Sequence, residues 1–183
     1  MSIRLLHGVR LPQKEGTADC KPNRMPVPAT VTIPMAMHIG APAKPVVKPG
    51  DSVKVGQLIA EAGGFVSAPV YSSVSGTVKK VEEVAPFNGT RAMGVVIETD
   101  GLQEPWEGLT PPEVTDLKSF VDAVRASGVV GLGGAGFPTA VKLSVEPERV
   151  DYICVNGAEC EPYITTDTRT MLDDGELLTD GIR

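Results

Sequence analysis

Between residues 30 and 100 the chain is cut into short β-branched runs by closely spaced turn signals, and this punctuation narrows the possible fold more than any other feature. The runs include Val46-Val47, Val53-Lys54-Val55, Thr77-Val78 and Val95-Val96-Ile97. The breaks include Pro49-Gly50-Asp51, Gly63-Gly64, Ser75-Gly76 and Asn88-Gly89. Short strands divided this often build a small sandwich or barrel. Aromatic residues make up only 4% of the chain, so the core has to be assembled from Val, Ile, Leu and Ala.

The flanks follow different rules. Residues 1–29 are rich in Pro, Lys and Arg without a clear period, and read as an extended arm. Residues 101–115 hold Pro105, Pro111 and Pro112 and read as a linker. From 116 onward the pattern becomes mixed. Val114, Leu117, Val121 and Val124 recur at helical spacing, which predicts a helix over Asp116–Ser127 with Gly128 at its C-terminal end. A glycine-rich loop follows, then a short helix over Thr139–Val145 and a buried strand over Val150–Val155, VDYICV. Another helix is expected from Asp167. The sequence stops inside it, with Leu177, Leu178 and Ile182 given little to pack against, and so reads as part of a longer protein.

Composition excludes several classes. A formal net charge of −6 argues against a general nucleic-acid binder. No apolar run approaches the roughly 18 residues of a membrane span, and the N-terminus lacks a signal-peptide pattern. The three cysteines, Cys20, Cys154 and Cys160, are too few and too scattered for a disulfide framework, a zinc site or an iron–sulfur cluster. They read as reduced thiols, with Cys154 buried in the strand. No metal site is expected. The two histidines, His7 and His38, give little support to a His-based nucleophile, and no catalytic side chain is assigned.

Two stretches carry candidate chemistry. In GVVGLGGAGFPTAVKL, Gly131, Gly133 and Gly136 satisfy G-x-G-x-x-G, but a helix precedes them, so the dinucleotide-binding context fails. Glycines still let several backbone N–H groups approach one phosphate. A helix start after Pro138-Thr139 would add its positive end, and Lys142 lies about one turn further on. The residues alone leave two readings open, a phosphate cradle or a flexible packing turn. Further along, Asn156-Gly157-Ala158-Glu159-Cys160-Glu161-Pro162-Tyr163 follows the expected strand, where α/β folds place ligands. Its carboxylates and amide fit either a site or a solvated turn.

Longer phrases carry family resemblances. PVVKPGDSVKVGQLIAEAGGFVSAPVYSSVSGTVKKV resembles the biotinyl/lipoyl-carrier type of barrel-sandwich hybrid. Carriers display a lysine at the hairpin tip. Here Gly63-Gly64-Phe65 stands there, so the resemblance implies the shape without the acylated amine. GLGGAGFPTAVKL followed by NGAECEPYITTD resembles the flavin-binding region of the RnfC family, the NADH-oxidising subunits of Rnf ion-translocating electron transport complexes. It is similar, more distantly, to the FMN-bearing subunit of respiratory complex I. TADCKPNRMPVP and the barrel stretch also resemble the RnfC N-terminal domain, so the likeness spans nearly all of residues 17–170.

The resemblance implies an α+β multi-domain fold. An all-β barrel-sandwich hybrid over residues 30–100 is followed, over residues 116–183, by an incomplete α/β flavin- and nucleotide-binding domain. It implies FMN and NADH as cofactors, with two four-iron clusters in the whole protein but none in this chain. Gly131, Gly133, Gly134, Ala135, Gly136 and Lys142 fall on flavin-loop positions. Asn156 and Glu159 fall on flavin-contacting positions, Glu161 beside the NADH site, and Phe137 where an aromatic lies near the dinucleotide. Relative to complex I, Ala158 replaces an acidic residue and Cys160 a serine. The implied partners are the membrane subunits of the complex and, indirectly, ferredoxin, at the cytoplasmic face of the membrane. Two other readings stay open: a soluble reductase subunit, as in cobalamin reduction, and a non-catalytic docking module.

Overall fold

A computed structural model of the chain describes residues 16–85, 91–132, 134, 136–159 and 162–182. The first part of the expected arm, the Asn88-Gly89 turn and Cys160 lie outside the described residues. The chain divides into two compact units. One runs from Pro26 to Val150, and the other joins the segment up to Met25 with that from Asp151 onward.

Within the first unit, the all-β expectation for residues 30–100 is met over the described residues. Strands β1 (Thr30–Pro34), β7 (Ala92–Thr99), β6 (Gly76–Val84) and β3 (Ser52–Val53) form one antiparallel sheet in that order. Strands β2 (Lys44–Pro45), β4 (Leu58–Glu61) and β5 (Val70–Tyr71) form a second. The expected strand at Val46-Val47 falls one residue past β2, although the Val46 N–H still donates to the Ile59 carbonyl at 2.9 Å. Ile33 pairs with Val95, and Val78 with Ile97, so one face of the larger sheet is aliphatic. Val78 and Val81 are three apart, a spacing that strand alternation would send to opposite faces. A bulge between Val78 and Lys80 adds a residue, and Val81 returns to the inner side opposite Val95.

The core consists of Met35, Val53, Ile59, Ala60, Val78, Val95 and Ile97, each almost fully excluded from solvent. Burying each large side chain contributes about 1.5–3 kcal/mol. Buried polar groups find partners. Ser67 Oγ donates to the Ala41 carbonyl and accepts from the Gly63 N–H, both at 2.8 Å. Ser75 Oγ donates to Asp100 at 2.6 Å and accepts from the Glu104 N–H at 3.0 Å. The segment beyond β7 is anchored, since Glu104–Trp106 hydrogen-bonds Val55 in both directions, at 2.9 and 2.8 Å.

Helix α1 (Leu117–Ala126) starts where the sequence indicates. Asp116 accepts from the Ser119 N–H at 2.7 Å, while Ser119 Oγ accepts from the Asp116 N–H at 2.9 Å, a reciprocal capping box. It ends at Ser127, and Gly128 follows at φ +70°. Helix α2 (Thr139–Leu143) and a 3-10 turn (Pro147–Arg149) complete this unit.

The segment from Val150 onward corrects one expectation. VDYICV is not a strand. Val150, Tyr152, Ile153 and Val155 are all exposed, Ile153 at 82%, and Cys154 is exposed rather than buried. Apolar composition marks a segment that gains from burial, but a strand also needs a neighbour to hydrogen-bond, and no described strand pairs with this one. The last helix is two, α3 (Thr166–Asp173) and α4 (Gly175–Ile182), parted at Asp174. The arm packs on α3. Thr17 and Thr165 share a hydroxyl hydrogen bond at 2.8 Å, and Arg169 donates to the Ala18 carbonyl at 3.1 Å while pairing with Asp173. Between them lies an open cavity of about 770 Å³ lined by Cys20, Arg24, Tyr163, Thr166 and Arg169.

Candidate functional site

The glycine loop is closed at its base like a small hairpin. Val130 bridges Pro138 in antiparallel fashion, the Gly131 N–H donates to the Phe137 carbonyl at 3.0 Å, and the Thr139 N–H donates to the Val129 carbonyl at 3.0 Å. Among the described residues between, Leu132 and Gly134 are exposed while Gly136 is buried. Leu132 is 95% exposed there, and nothing lies within 4 Å of where a Cβ would sit on Gly134. Phe137 is half-buried at the loop's return. Gly133 and Ala135 lie outside the described residues.

Lys142, in the last turn of α2, folds back over this base. Its Nζ lies 3.5 Å from the position a Cβ would take on Gly131. A Cβ there would stand in ordinary van der Waals contact with the ammonium, so the cation lies directly beside the first glycine of the loop. Lys142 is exposed, and among the described residues no carboxylate forms a salt bridge with it. The loop therefore presents a cation and glycine backbone at one spot, a donor set suited to a phosphate. The expected contribution from a helix start is smaller than the sequence suggests. Helix α2 has five residues, and the Thr139 N–H at its start is already given to Val129.

Asn156 and Glu159 belong to the other unit. Asn156 Oδ1 accepts from the Ala158 N–H at 2.9 Å, bending its own loop into an Asx turn. The Glu159 carboxylate accepts from the N–H groups of Asp167 at 3.4 Å and Thr168 at 3.2 Å. These are orphan donors at the start of α3, so Glu159 caps that helix from eight residues upstream. No sequence pattern points to this role, because capping motifs span only about three residues. Glu161 lies outside the described residues. The structure thus brings Gly131, Gly134, Gly136, Phe137 and Lys142 together in one unit, and Asn156 with Glu159 in the other.

Two contacts the sequence did not indicate link the end of α1, just ahead of the glycine loop, to the barrel. The Tyr71 hydroxyl donates to the Ala126 carbonyl at the end of α1, and the Arg125 guanidinium lies 5.3 Å from the Phe65 ring centre. Burial pushes the Tyr71 phenol above its ordinary pKa. His38 accepts from the Ala68 N–H through Nε2 at 3.2 Å, with Nδ1 lying 3.1 Å from the Ile39 carbonyl. Among the described residues no cluster of His, Cys, Asp and Glu could hold a metal ion, and no helix is long and apolar enough to cross a membrane.

An antiparallel β-domain followed by a glycine loop with a lysine beside it sets the class: a barrel joined to a candidate anion-binding loop. Residues 3–102 match the RnfC barrel sandwich hybrid domain, and residues 124–183 match the Nuo51 FMN-binding domain. The chain belongs to the RnfC family, and its strand-rich half is the barrel-sandwich hybrid. It is 46% identical over 175 residues to the C subunit of the Na(+)-translocating ferredoxin:NAD(+) oxidoreductase complex of Acetobacterium woodii, covering 93% of this chain and 40% of that protein. It is 41% identical to the C subunit of the proton-translocating ferredoxin:NAD(+) oxidoreductase complex of Clostridium ljungdahlii, covering 93% of this chain and 38% of that one. The C subunit of the ion-translocating oxidoreductase complex of Rhodobacter capsulatus is also 41% identical, over 92% of this chain and 34% of its own length. The chain spans about two-fifths or less of the length of these relatives.

Proposed function

We propose that this chain supplies the barrel and the first part of the FMN site of an electron-transfer subunit in an Rnf-type ion-translocating oxidoreductase complex. The observation that carries the reading is the position of the Lys142 ammonium 3.5 Å from the Cβ site of Gly131, inside a stretch matching an FMN-binding domain. FMN, when bound, accepts a hydride from NADH, or delivers one to NAD, and exchanges single electrons, here with iron–sulfur clusters of the whole protein. Everything else falls to the chain. The loop glycines beyond Gly131, whose own N–H is given to Phe137, offer backbone N–H groups to the phosphate, Lys142 balances its charge, and Phe137 offers a ring beside the dinucleotide. Asn156 and Glu159 hold their own loop in shape, and Glu161 provides a carboxylate on the NADH side. The subunit sits peripherally at the cytoplasmic face of the membrane, against the other subunits of the complex, with ferredoxin reached indirectly.

The test is an FMN titration followed by flavin fluorescence, on protein extended past Arg183 to the length of its relatives. Saturable quenching is expected. Lys142→Ala should weaken it by at least about tenfold, since a charge-assisted hydrogen bond is worth roughly 1.5–3 kcal/mol. A protein that binds FMN with unchanged affinity after this substitution would rule out the phosphate role.

A further inference from the structure

A loop that grips an anion with its backbone has to hold its shape, and glycine is the residue that resists reshaping least. From Gly131 to Gly136 only Leu132 and Ala135 carry side chains, and Leu132 faces solvent. The loop's stiffness must come from what touches its two ends.

At the entry, Gly128 adopts φ +70°, and a Cβ there would lie 2.6 Å from the Pro69 carbonyl oxygen and 3.2 Å from the Tyr71 ring. Only glycine both tolerates that backbone and permits that approach. Just upstream, the Tyr71 hydroxyl occupies the Ala126 carbonyl, which the end of α1 leaves without a helical partner. Arg125 lies over the Phe65 ring and donates to the Phe65 carbonyl at 3.3 Å. At the exit, Gly136 adopts φ +63°, and a Cβ there would lie 2.8 Å from the Met37 carbonyl oxygen and 3.0 Å from His38 Cα. The Ile39 N–H donates to the Gly136 carbonyl at 3.4 Å.

Both ends lead back to one element, the hairpin connection between β4 and β5. Phe65, Pro69 and Tyr71 meet the entry directly. The exit rests on residues 37–41, and these are fastened to the same hairpin at three points. The Ala68 N–H donates to His38 at 3.2 Å, Ser67 Oγ donates to the Ala41 carbonyl at 2.8 Å, and the Ala41 N–H donates to the Val66 carbonyl at 3.0 Å. The bond from Ala68 makes Nε2 the acceptor, which leaves the imidazole proton on Nδ1, facing the Ile39 carbonyl. The hairpin whose tip carries no lysine here is spent on holding another loop at both ends.

We propose that the β4–β5 hairpin of the barrel is a bracket that fixes the glycine loop in its anion-binding shape, with Arg125, Tyr71 and His38 as positioning residues. This rests on the reading of that loop as the FMN phosphate site. The barrel is then part of the flavin site's construction, acting through the backbone of a loop it never covers.

The experiment measures FMN affinity and melting temperature on the extended protein for four variants. The combined Tyr71→Phe, Arg125→Ala variant should bind FMN about tenfold more weakly at a temperature where circular dichroism shows it folded. Tyr71→Phe alone, the gentler change, should lose roughly threefold, by the loss of one hydrogen bond to the loop's entry. Arg125→Lys keeps a cation beside Phe65 and should retain most of the affinity. A hairpin that merely stabilises the barrel would lower the melting temperature and leave the affinity of the folded protein unchanged. Wild-type affinity in the hairpin variants beside a loss in Lys142→Ala would overturn the bracket while leaving the phosphate site standing. Wild-type affinity in all of them, Lys142→Ala included, would overturn the loop's assignment and the bracket with it.

Discussion

Val95-Val96-Ile97 and Ile153-Cys154-Val155 are nearly interchangeable as composition, yet the first sits at the centre of the barrel and the second lies in solvent. Val95 and Ile97 are 0% exposed, while Ile153 is 82% exposed. The difference is company. Strand β7 has β1 on one side and β6 on the other, so its backbone is hydrogen-bonded along both edges and its inner side chains meet Ile33, Val78 and Val81. No described strand pairs with residues 153–155. The same contrast holds for the units. The first has a continuous aliphatic core, whereas in the second the buried class among the described residues contains only Thr165, held by its hydroxyl bond to Thr17.

The largest test of this comparison is a pair of substitutions. Ile97→Ala should cost about 2–5 kcal/mol, the usual penalty for emptying a packed aliphatic site. Ile153→Ala should change stability by no more than about 0.5 kcal/mol. Urea unfolding followed through Trp106, the single tryptophan, reports on the barrel unit, because its backbone N–H donates to the Val55 carbonyl. Amide exchange covers the segment around Ile153. A cost at Ile153 as large as at Ile97 would show that the two segments share one fate.

The two helix starts differ as the two apolar segments do. Helix α1 is capped by Asp116, three residues from its acceptor bond to the Ser119 N–H, and α3 by Glu159, from eight and nine residues away. Glu159→Ala should therefore free the start of α3 at a cost of about 1 kcal/mol. The effect should appear as faster amide exchange at Asp167 and Thr168, with no change at Ser119. Unchanged exchange at those two amides would remove Glu159 as the cap, and with it the account of why that loop keeps its shape.

These contrasts also explain what could be read from the chain. Strand runs, the turn at Gly50, the start of α1 and the clustering of Gly131 with Lys142 were legible, because each is fixed by residues within a few positions of one another. The bulge that returns Val81 to the core was not, since it depends on register against β7. The grip of Arg169 on Ala18 spans 151 residues and that of Tyr71 on Ala126 spans 55, and no local pattern encodes contacts so far apart. VDYICV misled because apolarity states a preference for burial without naming the surface that would satisfy it. Asn156 and Glu159 were legible as polar residues after a hydrophobic run, but their hydrogen bonds, which shape their own loop, were not.

The smallest effect sharpens the comparison of helix starts by titration. The Asp116 carboxyl is held below the usual carboxylate range, first by the Ser119 backbone N–H and then by the Ser119 hydroxyl. A group whose folded pKa is depressed lends its stability fully above the unfolded value of about 3.9, and loses it as pH falls through the folded value. The first turn of α1 should therefore be protected from amide exchange at neutral pH and loosen only in acid, below the ordinary carboxylate range. Asp116→Asn keeps an oxygen that can accept from Ser119 but cannot titrate in that range, so the first turn should remain capped and its acid loosening should vanish. If the acid loosening persists unchanged in Asp116→Asn, the carboxylate is not its source. The loosening would then have to come from a carboxylate elsewhere in the chain, with the oxygen at position 116 still serving as the cap.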